Sequence, residues 1–317
     1  MNIVNSIKTI RTIVGRESVS TWFPRLAAED NSWMTVTWSP ELGLFCAVAA
    51  SGTNRVMTSP DGITWTARTA AQANFWQSIA WSPELGLFCT VATNGTHRVM
   101  TSPDGITWTP RLAEANSWRS VTWSPELGLF CAVAQNGTHR VMTSPDGITW
   151  TPRTAAEDNT WWSVTWSPEL GLFCAVAQGG TNRVMTSPNG ITWTPRAAAE
   201  DNGWGTVTWS PELGLFCALA GLGTNRVMTS PDGITWTPRT AAEDNNWRVV
   251  TWSPELGLFC AVAPAGTNRV MTSPDGITWT PRLVEANTWQ SITWSPELGL
   301  FCAVSANGTH LVMTTRT

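Results

Sequence analysis

The nine residues "WSPELGLFC" begin at Trp38 and return at Trp81, Trp123, Trp166, Trp209, Trp252 and Trp294, in steps of 43, 42, 43, 43, 43 and 42 residues. A sustained period of this length means that one supersecondary unit is copied, and that stacking the copies buries faces no copy can bury alone. Within the first unit, residues 33–39 mix β-branched and aromatic side chains up to Pro40, and "GLFCAVA" (43–49) is apolar throughout. A short unbroken apolar run reads as a strand covered on both faces. "NRVMTS" (54–59) and "ITWTAR" (63–68) complete the unit, and the connectors "PELG", "SGT" and "PDG" are turn formers. Such connectors are too short for anything but antiparallel neighbours.

Four strand-like pieces per unit, with no long helix between units, predict the blade of a β-propeller. The ends of the chain support a closed ring. The last unit stops at its third strand, "LVMTTRT" (311–317), while "STWFPR" (20–25) matches the fourth strand and has no unit of its own. The predicted fold is therefore all-β: a seven-bladed β-propeller over residues 20–317, four antiparallel strands per blade, with the N-terminal strand at 20–25 closing the last blade. Closure of this kind removes the open sheet edge. Residues 1–19 stand outside the repeat. Ile3, Ile7, Ile10 and Val14 recur at helical spacing, so this extension is expected to be a short helix or a disordered leader.

The eight residues "SPDGITWT" occupy 59–66, 102–109, 144–151, 230–237 and 273–280, and "SPNGITWT" occupies 187–194. Asp and Gly suit a tight turn, and a large aromatic suits the wedge between outer strands. This stretch resembles the Asp-box, Ser-x-Asp-x-Gly-x-Thr-Trp, of sialidase-like and other Asp-box propellers, with one residue fewer between Asp and Gly. The resemblance spans essentially all of 20–317. It implies that Asp61, Asp104, Asp146, Asn189, Asp232 and Asp275 have a structural role, accepting local backbone hydrogen bonds between third and fourth strands. The near-identity of the units also resembles the highly repetitive propellers of bacteria and their phages, and reads as recent amplification of one blade.

A sialidase would carry a tyrosine nucleophile paired with a glutamate, and an arginine cluster for the substrate carboxylate. This chain has no tyrosine, and Arg55, Arg98, Arg140 and Arg183 are repeat residues spread around the ring. Catalysis needs an asymmetric set of groups in one place, so no enzyme, no catalytic residue and no cofactor are expected, and glycoside hydrolysis is disfavoured. His97, His139 and His310 replace Asn at one repeat position on separate blades, and the "AEDN" connectors (28–31, 156–159, 199–202, 242–245) lack calcium-loop spacing. No metal site is expected. Seven cysteines at equivalent positions read as buried free thiols. A net charge of −4 with a single lysine argues against nucleic acid. No run approaches a membrane span and no leader pattern stands out, so a cytoplasmic monomer is the default expectation.

The copies differ unevenly. The residue after the tryptophan that enters the first strand reads Met34, Gln77, Arg119, Trp162, Gly205, Arg248, Gln290. The residue before it reads Ser32, Phe75, Ser117, Thr160, Gly203, Asn246, Thr288, and the second turn varies too, whereas "SPELG" never does. In a meander the inter-blade connector and the second turn emerge at one end, so the variable positions share one face of the disk. Glu41 and its equivalents should be exposed on the other face, and their fixity then suggests that variation follows ligand contact. The expected function is a non-catalytic recognition or scaffold module that binds a glycan or a protein through Met34, Phe75, Gln77, Arg119, Trp162, Gly205, Asn246, Arg248 and Gln290. The 22 tryptophans tilt this toward glycan. The entering tryptophans, Trp33 and its equivalents, belong either in the core or partly exposed at the rim. The alternative is a recently amplified structural repeat without a strong ligand.

Overall fold

The computed structural model describes residue 19 and residues 21–315. Among them, β1 (Trp22–Arg25) comes first, and β2 (Ser32–Ser39), β3 (Leu44–Ser51), β4 (Val56–Ser59) and β5 (Thr66–Arg68) form the first blade, antiparallel throughout. Five more four-stranded blades follow, with inner strands at Trp76–Ser82, Trp118–Ser124, Trp161–Ser167, Trp204–Ser210 and Val249–Ser253. The seventh blade is built from Trp289–Ser295, Leu300–Ser305 and Val312–Thr315, with β1 as its outer strand. β1 pairs Arg25 with Val312 and Pro24 with Met313, the register in which β5 pairs Arg68 with Val56 and Ala67 with Met57. Even the side-chain bond is copied: Arg25 Nε donates to Thr314 Oγ1 at 3.1 Å, as Arg68 Nε does to Thr58 Oγ1. β2 packs against the inner strands of both the second and the seventh blade, so the ring is shut.

Closure leaves one mark. In the six complete hairpins the outer tryptophan donates to a glycine carbonyl, as Trp65 Nε1 does to Gly62 at 3.1 Å. The seam has no such hairpin, and Trp22 Nε1 is buried without a partner. An orphaned buried donor costs about 1–3 kcal/mol. Residues 1–18, where a helix or disordered leader is expected, lie outside the described residues, while Val19 is buried between the last two blades. No helix among the described residues is long and apolar enough to cross a membrane.

Each blade shows its neighbours two different faces. Trp204, Val207, Trp209, Phe216 and Trp236 of the fifth blade pack on Cys174, Val176 and Val184 of the fourth, and every junction repeats this aromatic-on-small pattern. The cysteines are therefore free, fully buried space-fillers, and burial raises their pKa so that they stay thiols. Trp33 and its equivalents are at most 1% exposed, which settles their position in the core. Burying about 200 Å² apiece at about 25 cal/mol/Å² makes each worth up to about 5 kcal/mol, the largest single term in a junction.

Polar latches add to this. Trp81 Nε1 donates to Glu41 Oε2 of the preceding blade at 2.6 Å, and all seven junctions have the same bond at 2.5–2.6 Å, including Trp38 to Glu297 across the seam. This corrects the expectation drawn from "SPELG". Glu41 and its equivalents are solvent-accessible, but each has a bond to make, so their fixity reflects the ring and not the absence of a ligand on that face. Glu212→Ala should remove the acceptor of Trp252 at a partly exposed site, costing about 1 kcal/mol and roughly 2–3 °C of melting temperature. Trp204→Ala should cost about 3–5 kcal/mol. Thermal melts of the two variants check that ordering.

Candidate functional site

The inner strand carries a bulge that the alternation of its residues hides. Trp33 pairs with Ala49 and Thr35 with Val48, so Met34 is left over. The same shift follows Trp76, Trp118, Trp161, Trp204 and Trp289. In the sixth blade Arg248 directly precedes the strand, and its N–H donates to the Val262 carbonyl at 2.9 Å. A bulge leaves one residue unpaired and re-aims its side chain. Here it lets Trp33, Val36 and Trp38 all face the core, a spacing that strict alternation would forbid.

The residue displaced by each bulge turns to the axis. Met34, Gln77, Arg119, Trp162, Gly205, Arg248 and Gln290, one from each blade, line a single cavity of about 190 Å³. Sequence variation had suggested a face; the structure gathers these positions into the mouth of the central channel. Asn246 lies in an adjoining groove of about 560 Å³, which shares Gly205 and Arg248 with the channel and is otherwise walled by Gln178, Gly203, Gly221 and Leu222. Phe75 lines neither cavity. It stands exposed, 6.0 Å from the Arg55 guanidinium carbon.

The channel's chemistry is lopsided. Arg119 lies over the Trp162 ring, its guanidinium carbon 3.9 Å from the centroid, and Arg248 approaches the same ring at 5.3 Å. Arg248 stands two blades away from Trp162, and the channel residue of the blade between them, Gly205, has no side chain. A Cβ built there meets only Gln178 Nε2, at 3.7 Å. Arg119 is held by neutral acceptors, donating from Nε to Gln135 Oε1 at 2.8 Å and from Nη1 to Gln77 Oε1 at 2.9 Å. Burial, followed by the charge of Arg248, lowers the Arg119 pKa to about 10, and burial lowers that of Arg248. Arginine guanidinium groups keep their proton at neutral pH. None of the residues lining the channel is Asp, Glu, His or Cys. Among the described residues no group of three or more such side chains could hold a metal.

The second turn, found variable as a whole, brings Gln135 against Arg119 and places Gln178 and Gly221 in the groove, residues that sequence reasoning did not put in the site. The bulge is what escaped it. Only the i, i+3, i+5 spacing of buried Trp33, Val36 and Trp38 could have betrayed it. The second turn also has a fixed part. Gly52 has φ +114°, and a Cβ there would fall 1.7 Å from Asn31 Oδ1, so glycine is obligatory while its neighbours vary.

The repeated hairpins are structural. Asp61 Oδ1 accepts from the N–H groups of Ile63 and Thr64 at 2.8 Å and from the Ser59 hydroxyl at 3.0 Å. Asn189 makes the same three bonds at 2.9, 3.0 and 3.2 Å, somewhat longer, as a neutral acceptor should. The histidines do comparable work: His139 and His310 each meet a connector glutamate, Glu114 at 2.9 Å and Glu285 at 3.0 Å, where other blades pair Glu with Asn.

No family model matches the chain, and no curated protein matches it. Solved structures do. YCF48 from Cyanidioschyzon merolae superposes with a TM-score of 0.69 at 14% identity, covering 93% of this chain and 98% of that one. The WD40 β-propeller domain of Doa1 gives 0.72 at 14% identity, with coverages of 94% and 96%. The GH74 enzyme of Niastella koreensis gives 0.71 at 15% identity, with 93% of this chain aligned to 53% of the enzyme. At these identities the likeness establishes the propeller fold alone.

The hairpin carboxylates set an acid limit on stability. Partial burial tends to raise Asp61, but the hydrogen bonds from Thr64, Ile63 and Ser59 outweigh it and leave its pKa below the ordinary value. Asp104, Asp146, Asp232 and Asp275 behave alike. A pKa depressed by folding adds stability above the unfolded-state value, and that stability is lost as pH falls through the folded value. The melting temperature should therefore decline below about pH 4. Changing these five aspartates to Asn, as residue 189 already is, should flatten that decline, which melts between pH 2 and 7 would read.

Proposed function

We propose that this chain is a non-catalytic recognition module, built on Asp-box-like blades, that takes its ligand at the mouth of the central channel and in the groove beside it. One observation carries the reading: a position that takes five residue types in seven copies sends all seven of its residues to the lining of one cavity. The lining offers hydrogen-bonding amides, an aromatic ring and two guanidinium groups, a mixture suited to binding, while it lacks the acid and base that hydrolysis needs. The ligand is a protein or a glycan. The tryptophan content no longer favours glycan, because 21 of the 22 tryptophans are the three structural positions of seven blades. The extra one, Trp162, already has guanidinium groups against its ring.

The second reading, a structural repeat with no specific ligand, draws on the latches. Positions fixed in every copy have bonds to make, and the channel positions take no part in the bonds that every junction repeats. Variation there could then follow from freedom alone.

Screening the full chain on glycan and peptide arrays separates the two. A ligand found by the wild type should lose at least tenfold in affinity with Gly205→Phe, which fills the channel at a site open to a side chain. It should be untouched by Ile106→Ser on the opposite end. Loss with Ile106→Ser instead, or blank arrays for every probe, would overturn the recognition reading.

A further inference from the structure

The channel mouth concentrates positive charge in a protein whose net charge is −4. Arg119 and Arg248 converge on one indole ring, and the lining supplies no carboxylate to balance them. Arg119 spends its bonds on two neutral amides. Among the described residues, no side chain or carbonyl accepts a hydrogen bond from the Arg248 guanidinium. Like charges held close in a partly desolvated site are unfavourable unless an opposite charge joins them. Neither arginine belongs to the repeat: the equivalent residues elsewhere are Met, Gln, Trp and Gly. The pair is thus no by-product of copying a blade.

The adjoining groove differs from its six counterparts in the same direction. The fifth blade has Gly203, Gly205 and Gly221 where other blades carry Ser, Phe, Thr, Asn, Met, Gln, Arg, Trp, Ala or Pro. These glycines clear side chains from the space beside Arg248 and bare the backbone. A Cβ at residue 221 would come within 2.0 Å of Asn246 Oδ1, so a side chain there would drive Asn246 out of its place in the groove. Leu222 is 73% exposed at the edge. One carboxylate lines the groove, that of Asp201 in the connector, and it makes no ion pair with either channel arginine.

We infer that the channel mouth binds a carboxylate carried by an acidic polypeptide segment, with Arg119 and Arg248 on the anion and the segment lying along the glycine-walled groove. This deepens the recognition reading and rests on it. A planar carboxylate suits the guanidinium fork, and Trp162 acts as a positioning residue against which both guanidinium groups stand, with Arg119 Nη2 and the Arg248 fork left for the anion. Bare backbone and an exposed leucine suit a peptide. A sugar would need an open aromatic face, and the ring in the channel is already covered.

The test uses the full chain and defined probes. Acetate, a hexaglutamate peptide, a neutral hexaglutamine peptide and trigalacturonate are titrated at fixed ionic strength, following the arginine Nε–H resonances by NMR and the melting temperature. Hexaglutamate should shift the Arg119 and Arg248 signals saturably, at least tenfold more tightly than acetate or trigalacturonate, with hexaglutamine silent. R119Q/R248Q should lose the rise in melting temperature that hexaglutamate gives the wild type, and should melt higher than the wild type without any probe, because the uncompensated charge pair is gone. A purely structural role for the arginines predicts a lower melting temperature instead. Equal responses in wild type and variant, tighter binding of trigalacturonate, or a destabilised variant would each overturn the inference. An array ligand that needs the open channel but is indifferent to R119Q/R248Q would leave the recognition reading standing and remove this one. Saturable hexaglutamate binding with blank arrays would do the reverse.

Discussion

Each blade is held by its neighbours, and the tryptophan that opens the inner strand is where that dependence is concentrated. Trp33 and its six equivalents are enclosed on all sides. A four-stranded sheet of some 40 residues cannot enclose such a ring by itself. The ring must shut for every tryptophan to have a neighbour, which is why β1 crosses from the start of the chain to complete the last blade. The bulge follows from the same demand. Placing Trp33, Val36 and Trp38 on one face of a strand requires one residue to drop out of the ladder, and that residue is turned to the axis.

A nearly sevenfold scaffold thereby acquires an asymmetric centre without losing its symmetry elsewhere. The fixed residues are bonded: Glu41 to Trp81, Arg98 to the Asn116 carbonyl, Asp61 to its own hairpin. The residue expelled by the bulge takes no part in the contacts that every junction repeats, so it can change at little cost to the fold. Seven such residues meet in one cavity, and a few substitutions there change its charge and shape outright. Arg119, Trp162, Gly205 and Arg248 act together in this way. An arginine of the sixth blade stands 5.3 Å from an indole of the fourth, with glycine in the blade between them.

Much of this was legible in the sequence. The period gave the blade, and the unpaired "STWFPR" at one end with the missing fourth strand at the other gave the seam, down to which segments pair. The Asp–Gly turn chemistry gave the hairpins. Two things were not legible, each for a physical reason. The role of Glu41 could not be read because its partner, Trp81, lies 40 residues away, and an exposed carboxylate in a turn looks the same with or without one. The convergence of the variable residues was missed because a bulge is a matter of pairing, and its one trace, the odd spacing of Trp33, Val36 and Trp38, shows only once those residues are known to be buried together. The variable set itself was found; that seven of its members meet at the channel mouth was not.

The account turns on the inner-strand residues facing one another across the channel, and a distance tests this most directly. Spin labels placed at Met34→Cys and Gly205→Cys, on the first and fifth blades, can be measured by pulsed electron resonance, since the seven native cysteines are buried and will not react. The account predicts one narrow distance at the short end of the method's range, well below that between labels at Leu26→Cys and Leu222→Cys on the outer loops of similar blades. A separation for 34 and 205 as long as that outer pair would contradict it, because the bulge would then not turn these residues to the axis.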